Sequence, residues 1–125
     1  MKKVKLLIID DEVEYASTLG KRLRLRGFDT EEVYSGEDGL TRFAEISPDV
    51  VILDLKMPDM DGLDVLAGIK KHKPDVGVII VTGHGANASG IKAMDKGAVD
   101  YVMKPFNLNV LLRKIESACE NKTKI

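Results

Sequence analysis

Five short apolar runs alternate along the chain with longer stretches in which apolar residues recur at helical spacing. Residues 4–9, 50–53 and 76–81 are almost continuously apolar and rich in β-branched side chains, the pattern of strands buried on both faces of a parallel sheet. Residues 28–34 and 99–103 are interrupted by Asp29, Glu31 and Glu32, and by Asp100, as edge strands are. Between the runs lie five predicted helices. Residues 12–26 place Val13, Ala16, Leu19 and Leu23 on one stripe, end in Lys21, Arg22, Arg24 and Arg26, where cations suit the dipole, and are stopped by Gly27. Residues 36–45 carry Leu40, Phe43 and Ala44, with Pro48 beyond the stop; residues 62–71 carry Leu63, Val65, Leu66 and Ile69. Residues 108–119 carry Leu108, Leu111, Leu112, Ile115 and Ala118. The fourth helix, about 86–95, is the weakest: it holds Asn87, Ser89 and an interior Gly90, with Ile91 and Met94 as its sizeable anchors. A mid-helix glycine costs about 1 kcal/mol against alanine.

Strand then helix, five times over, predicts an α/β fold: a doubly wound (βα)5 sandwich on a five-stranded parallel sheet. Three buried strands and two edge strands fit the flavodoxin-like order 2-1-3-4-5, in which ligands bind at the carboxyl ends of the strands beside the switch between strands one and three. Composition agrees. A chain of 125 residues with 44% apolar and 31% charged residues is one ordinary globular domain. The net charge of −1 offers no bulk attraction to nucleic acid or to an anionic membrane. A single cysteine, Cys119, excludes an internal disulfide and a cysteine-based zinc site. The apolar run after Met1-Lys2-Lys3-Val4 ends at Asp10, too short for a signal peptide, and no stretch approaches a membrane span. The expected location is the cytoplasm.

Chemistry collects where strands end. Strand one runs into Asp10-Asp11-Glu12, strand three into Asp54, strand four into Thr82 and strand five into Lys104-Pro105. Each alone is an ordinary cap or turn residue. Together, the proposed sheet brings Asp10, Asp11 and Asp54 within a few ångströms, and two such charges about 4 Å apart repel by roughly 4 kcal/mol at an effective dielectric near 20. A hard divalent cation relieves that repulsion, and Mg²⁺ takes a few carboxylates together with water and phosphate oxygens. Lys104 and Thr82 add a cation and a hydroxyl suited to phosphoryl oxygens. An anionic metal pocket ringed by phosphate-binding groups fits phosphoryl transfer. Asp54, lying centrally, is the candidate acceptor, since aspartate can form an acyl phosphate.

Four segments, LLIIDDE at 6–12, VVILDLKMPDMDGL at 50–63, VIIVTGHG at 78–85 and KGAVDYVMKPF at 96–106, resemble in order and spacing the bacterial response-regulator receiver domain, the phosphoaccepting half of two-component signalling. The resemblance runs over residues 4–120. It implies that Asp54 takes a phosphoryl group from a sensor histidine kinase or a small phosphodonor. It also implies that Asp11 coordinates Mg²⁺ directly with Asp10 assisting, and that the backbone carbonyl of Lys56 is a third protein ligand. Thr82 is similar to the family's switch hydroxyl, Lys104 to its phosphate-binding lysine and Tyr101 to its rotameric aromatic, and the Lys104-Pro105 bond to one that is cis. Gly83 would leave the acyl phosphate accessible, while Lys56 and His84 hold positions that tune dephosphorylation. Phosphorylation adds about −1.5 to −2 charge and three acceptors. Thr82 moving toward it would vacate space for Tyr101, switching the face of the fourth helix, fifth strand and fifth helix. That face would offer Ile91, Met94, Tyr101, Val110 and Leu111 among Lys92, Lys96 and Arg113 to an output domain, a downstream protein or a second copy.

Other readings fit less well. A haloacid-dehalogenase-like phosphatase wants an aspartate two residues after its nucleophile, where Asp10 is followed by Glu12. Residues 83–88 formally match the dinucleotide motif G-x-G-x-x-A but follow the fourth strand instead of the first, and Gly85 to Gly90 has Walker-like spacing with no Lys-Ser/Thr after it. His72 and His84 have no ligand spacing, and residues 59–62 are an EF-hand fragment that reads as the turn into the third helix. A phosphorylation-independent interaction module of the same fold is the alternative, although Asp54 and the acidic pair are all present. The receiver domain is expected over 1–120 and a polar tail or linker start over 121–125. The TGHG and KPF segments look like those of receivers of enhancer-binding transcription activators.

Overall fold

The computed structural model describes residues 3–83 and 86–123. Its elements alternate strictly: β1 (Lys5–Ile9), α1 (Val13–Leu25), β2 (Asp29–Val33), α2 (Gly36–Ile46), β3 (Val50–Asp54), α3 (Gly62–His72), β4 (Gly77–Thr82), α4 (Ala86–Asp95), β5 (Asp100–Met103) and α5 (Leu108–Thr123). The strands form one parallel sheet in the order β2-β1-β3-β4-β5, as expected. The period-2 alternation of a strand divides the core in two. Leu7, Ile9, Val51, Leu53, Val78 and Ile80 face Phe43 of α2, Val65, Leu66 and Ile69 of α3 and Ala93 of α4. Leu6, Ile8, Val50, Ile52, Ile79 and Val81 face Ala16, Leu19 and Leu23 of α1 and Leu111, Ile115 and Ala118 of α5. β3 and β4 are buried along their whole length, which explains their unbroken apolar sequence. Each large aliphatic side chain so buried contributes about 1.5–3 kcal/mol.

The edges are closed by charge. On β2 only Thr30 is buried; Glu32 pairs with Arg24 of α1 at 2.6 Å and Glu31 with Arg42 of α2 at 2.8 Å. On β5, Asp100 accepts Lys114 of α5 at 2.7 Å. Caps hold the helix starts: Ser35 accepts the N–H of Asp38 and Asp61 that of Leu63. Asp59, in the loop after β3, reaches across to α2 and accepts the N–H groups of both Gly36 and Glu37 at 3.0 Å. Those two bonds hold its carboxyl below the usual carboxylate range, and they tie the loop that follows Asp54 to a neighbouring helix. Gly62 is locked where it is, because a Cβ there would stand 2.7 Å from the Leu55 carbonyl oxygen.

Three sequence expectations are corrected. Val13 does not join the buried stripe of α1: it is 52% exposed, and Gly20 takes the place beside Ala16, Leu19 and Leu23. Ala44 is exposed on α2. The fifth helix continues to Thr123 instead of ending at 119, so the backbone expected to begin a tail at 121 is still helical.

Candidate functional site

The parallel register pairs Ile9 with Leu53, so the next residues, Asp10 and Asp54, leave adjacent strands side by side. Both are nearly enclosed, at 3% and 5% exposure. One oxygen of Asp10, Oδ1, accepts the N–H of Glu12 at 2.9 Å, and one of Asp54, Oδ1, accepts that of Lys56 at 3.1 Å. Their other oxygens turn to Lys104, whose Nζ donates to Asp10 Oδ2 at 2.9 Å, to Glu12 Oε1 at 2.6 Å and to Asp54 Oδ2 at 3.4 Å. An ammonium has three N–H groups, and here each has a carboxylate. The backbone N–H of Lys104 donates to the Thr82 carbonyl at 2.8 Å, pinning the lysine loop to the end of β4. The Lys104-Pro105 peptide is cis.

Burial is the largest influence on Asp54, lifting its carboxyl to about 6. The Asp10 charge adds to the lift, while the Lys56 N–H and Lys104 oppose it. Burial works against the charge on Lys104, but its bonds to Glu12 and Asp10 and the Asp54 charge outweigh that and hold it above the usual lysine range. The face of the Tyr15 ring covers the remaining side of the ammonium, 4.2 Å from Nζ. Burial, reinforced by the three carboxylates and offset in part by Lys104, raises the Tyr15 hydroxyl to about 12.

Asp54 opens into a cavity of about 590 Å³ lined also by Asp11, Glu12, Tyr15, Lys56, Gly83, Lys104 and Pro105. Asp10, Glu12 and Asp54 each bring a carboxylate oxygen within 4.8 Å of the others. Asp11 stands on the cavity wall outside that trio. All-oxygen anionic donors of this kind suit a hard divalent cation. Thr82 is buried and borders a neighbouring cavity of about 760 Å³ between Leu55–Met57, Met60, Leu63 and Lys92, so Lys56 lines both spaces. Tyr101 lies farther along, half-buried, its ring against Gly90 of α4. On that face Ile91 is 58% exposed, with Met94, Val110, Met103 and Val99 also open, but Leu111 is fully buried. α5 directs Leu111 at the sheet, so it leaves the candidate surface. His84 lies outside the described residues.

Two residues at this site were not singled out from sequence. Glu12 was visible only as the third of an acidic run, and its ion pair with Lys104 spans 92 positions. Tyr15 follows by three residues, close to one helical turn, a spacing that carries no chemical signature until the fold sets Lys104 over its ring.

The family model for the response regulator receiver domain matches residues 6–116. Among characterised proteins, the chain is 36% identical over 116 residues to the regulatory protein AtoC of Escherichia coli, covering 93% of this chain and 25% of that one. It is 37% identical over 118 residues to the transcriptional regulatory protein KdpE of Mycobacterium tuberculosis, covering 94% and 52%. The chain therefore spans between a quarter and about half of these relatives. Among solved structures, a response regulator receiver domain protein from Clostridium thermocellum superposes with a TM-score of 0.91 at 40% identity, over 95% of this chain and 96% of that one. A CheY-like receiver domain protein from Methanospirillum hungatei gives 0.94 at 28% identity, over 98% of both.

Proposed function

The chain belongs to the response-regulator receiver domain family, and from that membership we propose that Asp54 is its phosphoacceptor. The observation that carries the reading is the enclosed Asp10–Asp54 pair held by Lys104. Above about pH 6 the Asp54 carboxylate is ionised and attacks the phosphorus of a phosphohistidine on a sensor histidine kinase, or of a small acyl phosphate. An O–P bond forms as the bond to the donor breaks, and the donor group leaves with the electron pair. Lys104 stands to take a phosphoryl oxygen as Asp54 acquires it, and Thr82 to supply a hydroxyl from β4. Asp10, Asp11, Asp54 and the carbonyl of Lys56 would hold Mg²⁺. When bound, Mg²⁺ neutralises the carboxylates and the charge developing on the phosphoryl oxygens.

The proposed readout is the α4–β5–α5 face, through Tyr101 and the exposed Ile91, Met94 and Val110, toward an output domain, a downstream protein or a second copy of the chain. Relatives named as a regulatory protein and a transcriptional regulatory protein, of which this chain matches only a part, support an output in gene regulation within a longer protein, read in the cytoplasm. No helix among the described residues is long and apolar enough to cross a membrane. The test is intact mass after incubation with acetyl phosphate, with Mg²⁺, with chelator and on Asp54→Asn. One phosphoryl adduct that requires both Mg²⁺ and Asp54 supports the reading. No adduct under any condition overturns it and leaves the phosphorylation-independent interaction module.

A further inference from the structure

We propose that Tyr15 is a positioning residue for Lys104, its ring face seating the ammonium between Asp10 and Asp54 so that it meets the incoming phosphoryl group. The inference rests on the phosphoacceptor reading of Asp54. Lys104 has a compact, strongly hydrated charge on a long flexible stem, and three carboxylates of differing exposure surround it; Glu12 is the exposed one, at 60% for its side chain. The carboxylates aim its three N–H groups before phosphorylation, but that aim is lost when one of them gives way to a phosphoryl oxygen. The Tyr15 ring face holds the ammonium from the remaining side whichever anions it meets. Tyr15 lies in the first turn of α1, where side chains lean back toward the helix N-terminus, and its ring lies under the Lys104 ammonium.

The ring has a second aromatic contact of its own. Phe106, two residues after Lys104, meets it edge-to-face with centroids 6.1 Å apart and planes at 84°. Tyr15 thus meets both Lys104, over its ring face, and Phe106, edge-to-face. Tyr15 forms a wall of the Asp54 cavity on one side. On the other it lines a cavity of about 210 Å³ with Thr18, Leu19, Arg22, Phe106 and Leu108, so it separates the ammonium from that outer space. A ring attracts a cation through its π face whichever anion the cation is paired with. The contact therefore persists when Lys104 turns from a carboxylate to a phosphoryl oxygen.

The test uses the full chain, wild type beside Tyr15→Phe, which keeps the ring, and Tyr15→Leu, which keeps apolar bulk without it. Two quantities are measured: the rate of adduct formation from acetyl phosphate with Mg²⁺, by intact mass, and the proton shift of the Lys104 ε-methylene, which a ring 4.2 Å from Nζ moves upfield. Tyr15→Leu is expected to slow the adduct by about three- to thirty-fold, the range of a partly desolvated cation–π contact. It also loses the upfield shift, while Tyr15→Phe restores both; thermal melts of the two variants separate this from general loss of folding. A Leu variant as fast as wild type, a Phe variant as slow as Leu, or a Lys104 shift unchanged in Leu overturns the inference alone. Absence of any adduct on the wild-type chain overturns the phosphoacceptor reading, and the positioning role with it.

Discussion

Replacing Asp54 by asparagine is expected to make the folded chain more stable, although the residue sits at the centre of the site. Its carboxyl moves from 3.8 to about 6 on folding, chiefly because burial disfavours its charge, with Asp10 adding repulsion. Between those two values the folded chain binds more protons than the unfolded one, so this group's contribution to stability falls as pH rises through that window. Below it the residue is protonated in both states and has no effect; above it the whole penalty applies. A shift of about two units corresponds to about 3 kcal/mol, and water in the open cavity beside Asp54 reduces this to about 1–3 kcal/mol. Asparagine keeps an oxygen for the Lys56 N–H and leaves Lys104 its bonds to Asp10 and Glu12. With a urea slope of about 1–3 kcal/mol/M, the midpoint rises by about 1 M. Urea unfolding of both chains in chelator at about pH 8 and about pH 4 measures this directly. Equal midpoints at the higher pH, or a gain just as large at the lower, would refute the reasoning.

Three further outcomes follow from the same geometry. Lys104→Met leaves Asp10 and Asp54 without their shared cation, and urea unfolding should show a loss of about 2–4 kcal/mol near pH 8, shrinking as pH falls to about 6, since Asp54 without Lys104 takes its proton no lower than that. Mg²⁺ at about ten times its dissociation constant should add about 1.4 kcal/mol to wild type by binding only the folded chain, and a thermal melt of Asp10→Asn should show little of that gain. Gly62→Ala drives a methyl against the backbone of Leu55, and the rearrangement should lower stability by about 1–3 kcal/mol or more, read by the same unfolding assay.

The strand order and the apolar halves of the core were legible in the chain because period and run length follow from which faces are covered. Unbroken runs at β3 and β4 mean two covered faces; the acidic interruptions of β2 mean an edge. Local signals carried less at boundaries. Val13 has the right spacing for the α1 stripe but, as the first residue of the helix, stays half exposed, and the polar sequence after Cys119 hid the last turn of α5. Leu111 looked available because the side of α5 that meets the sheet is set by packing, not by polarity alone. At the site, Asp10, Asp54, Thr82 and Lys104 could be grouped because each ends a strand at the same edge of the sheet. Glu12, Tyr15 and Asp59 act through contacts that cross the fold, and no spacing within their own segments announces them.

The glycine that weakens α4 also makes room. A Cβ at position 90 would stand 3.2 Å from the Tyr101 ring, closer than ordinary van der Waals contact. The two positions are therefore expected to influence one another's choice of residue. A Cβ entering at 90 asks the Tyr101 ring to give by a few tenths of an ångström, a demand that eases if residue 101 becomes smaller. Sequence sampling around this chain should find the pair changing together, with α4 gaining helix propensity in those descendants that have given up the aromatic.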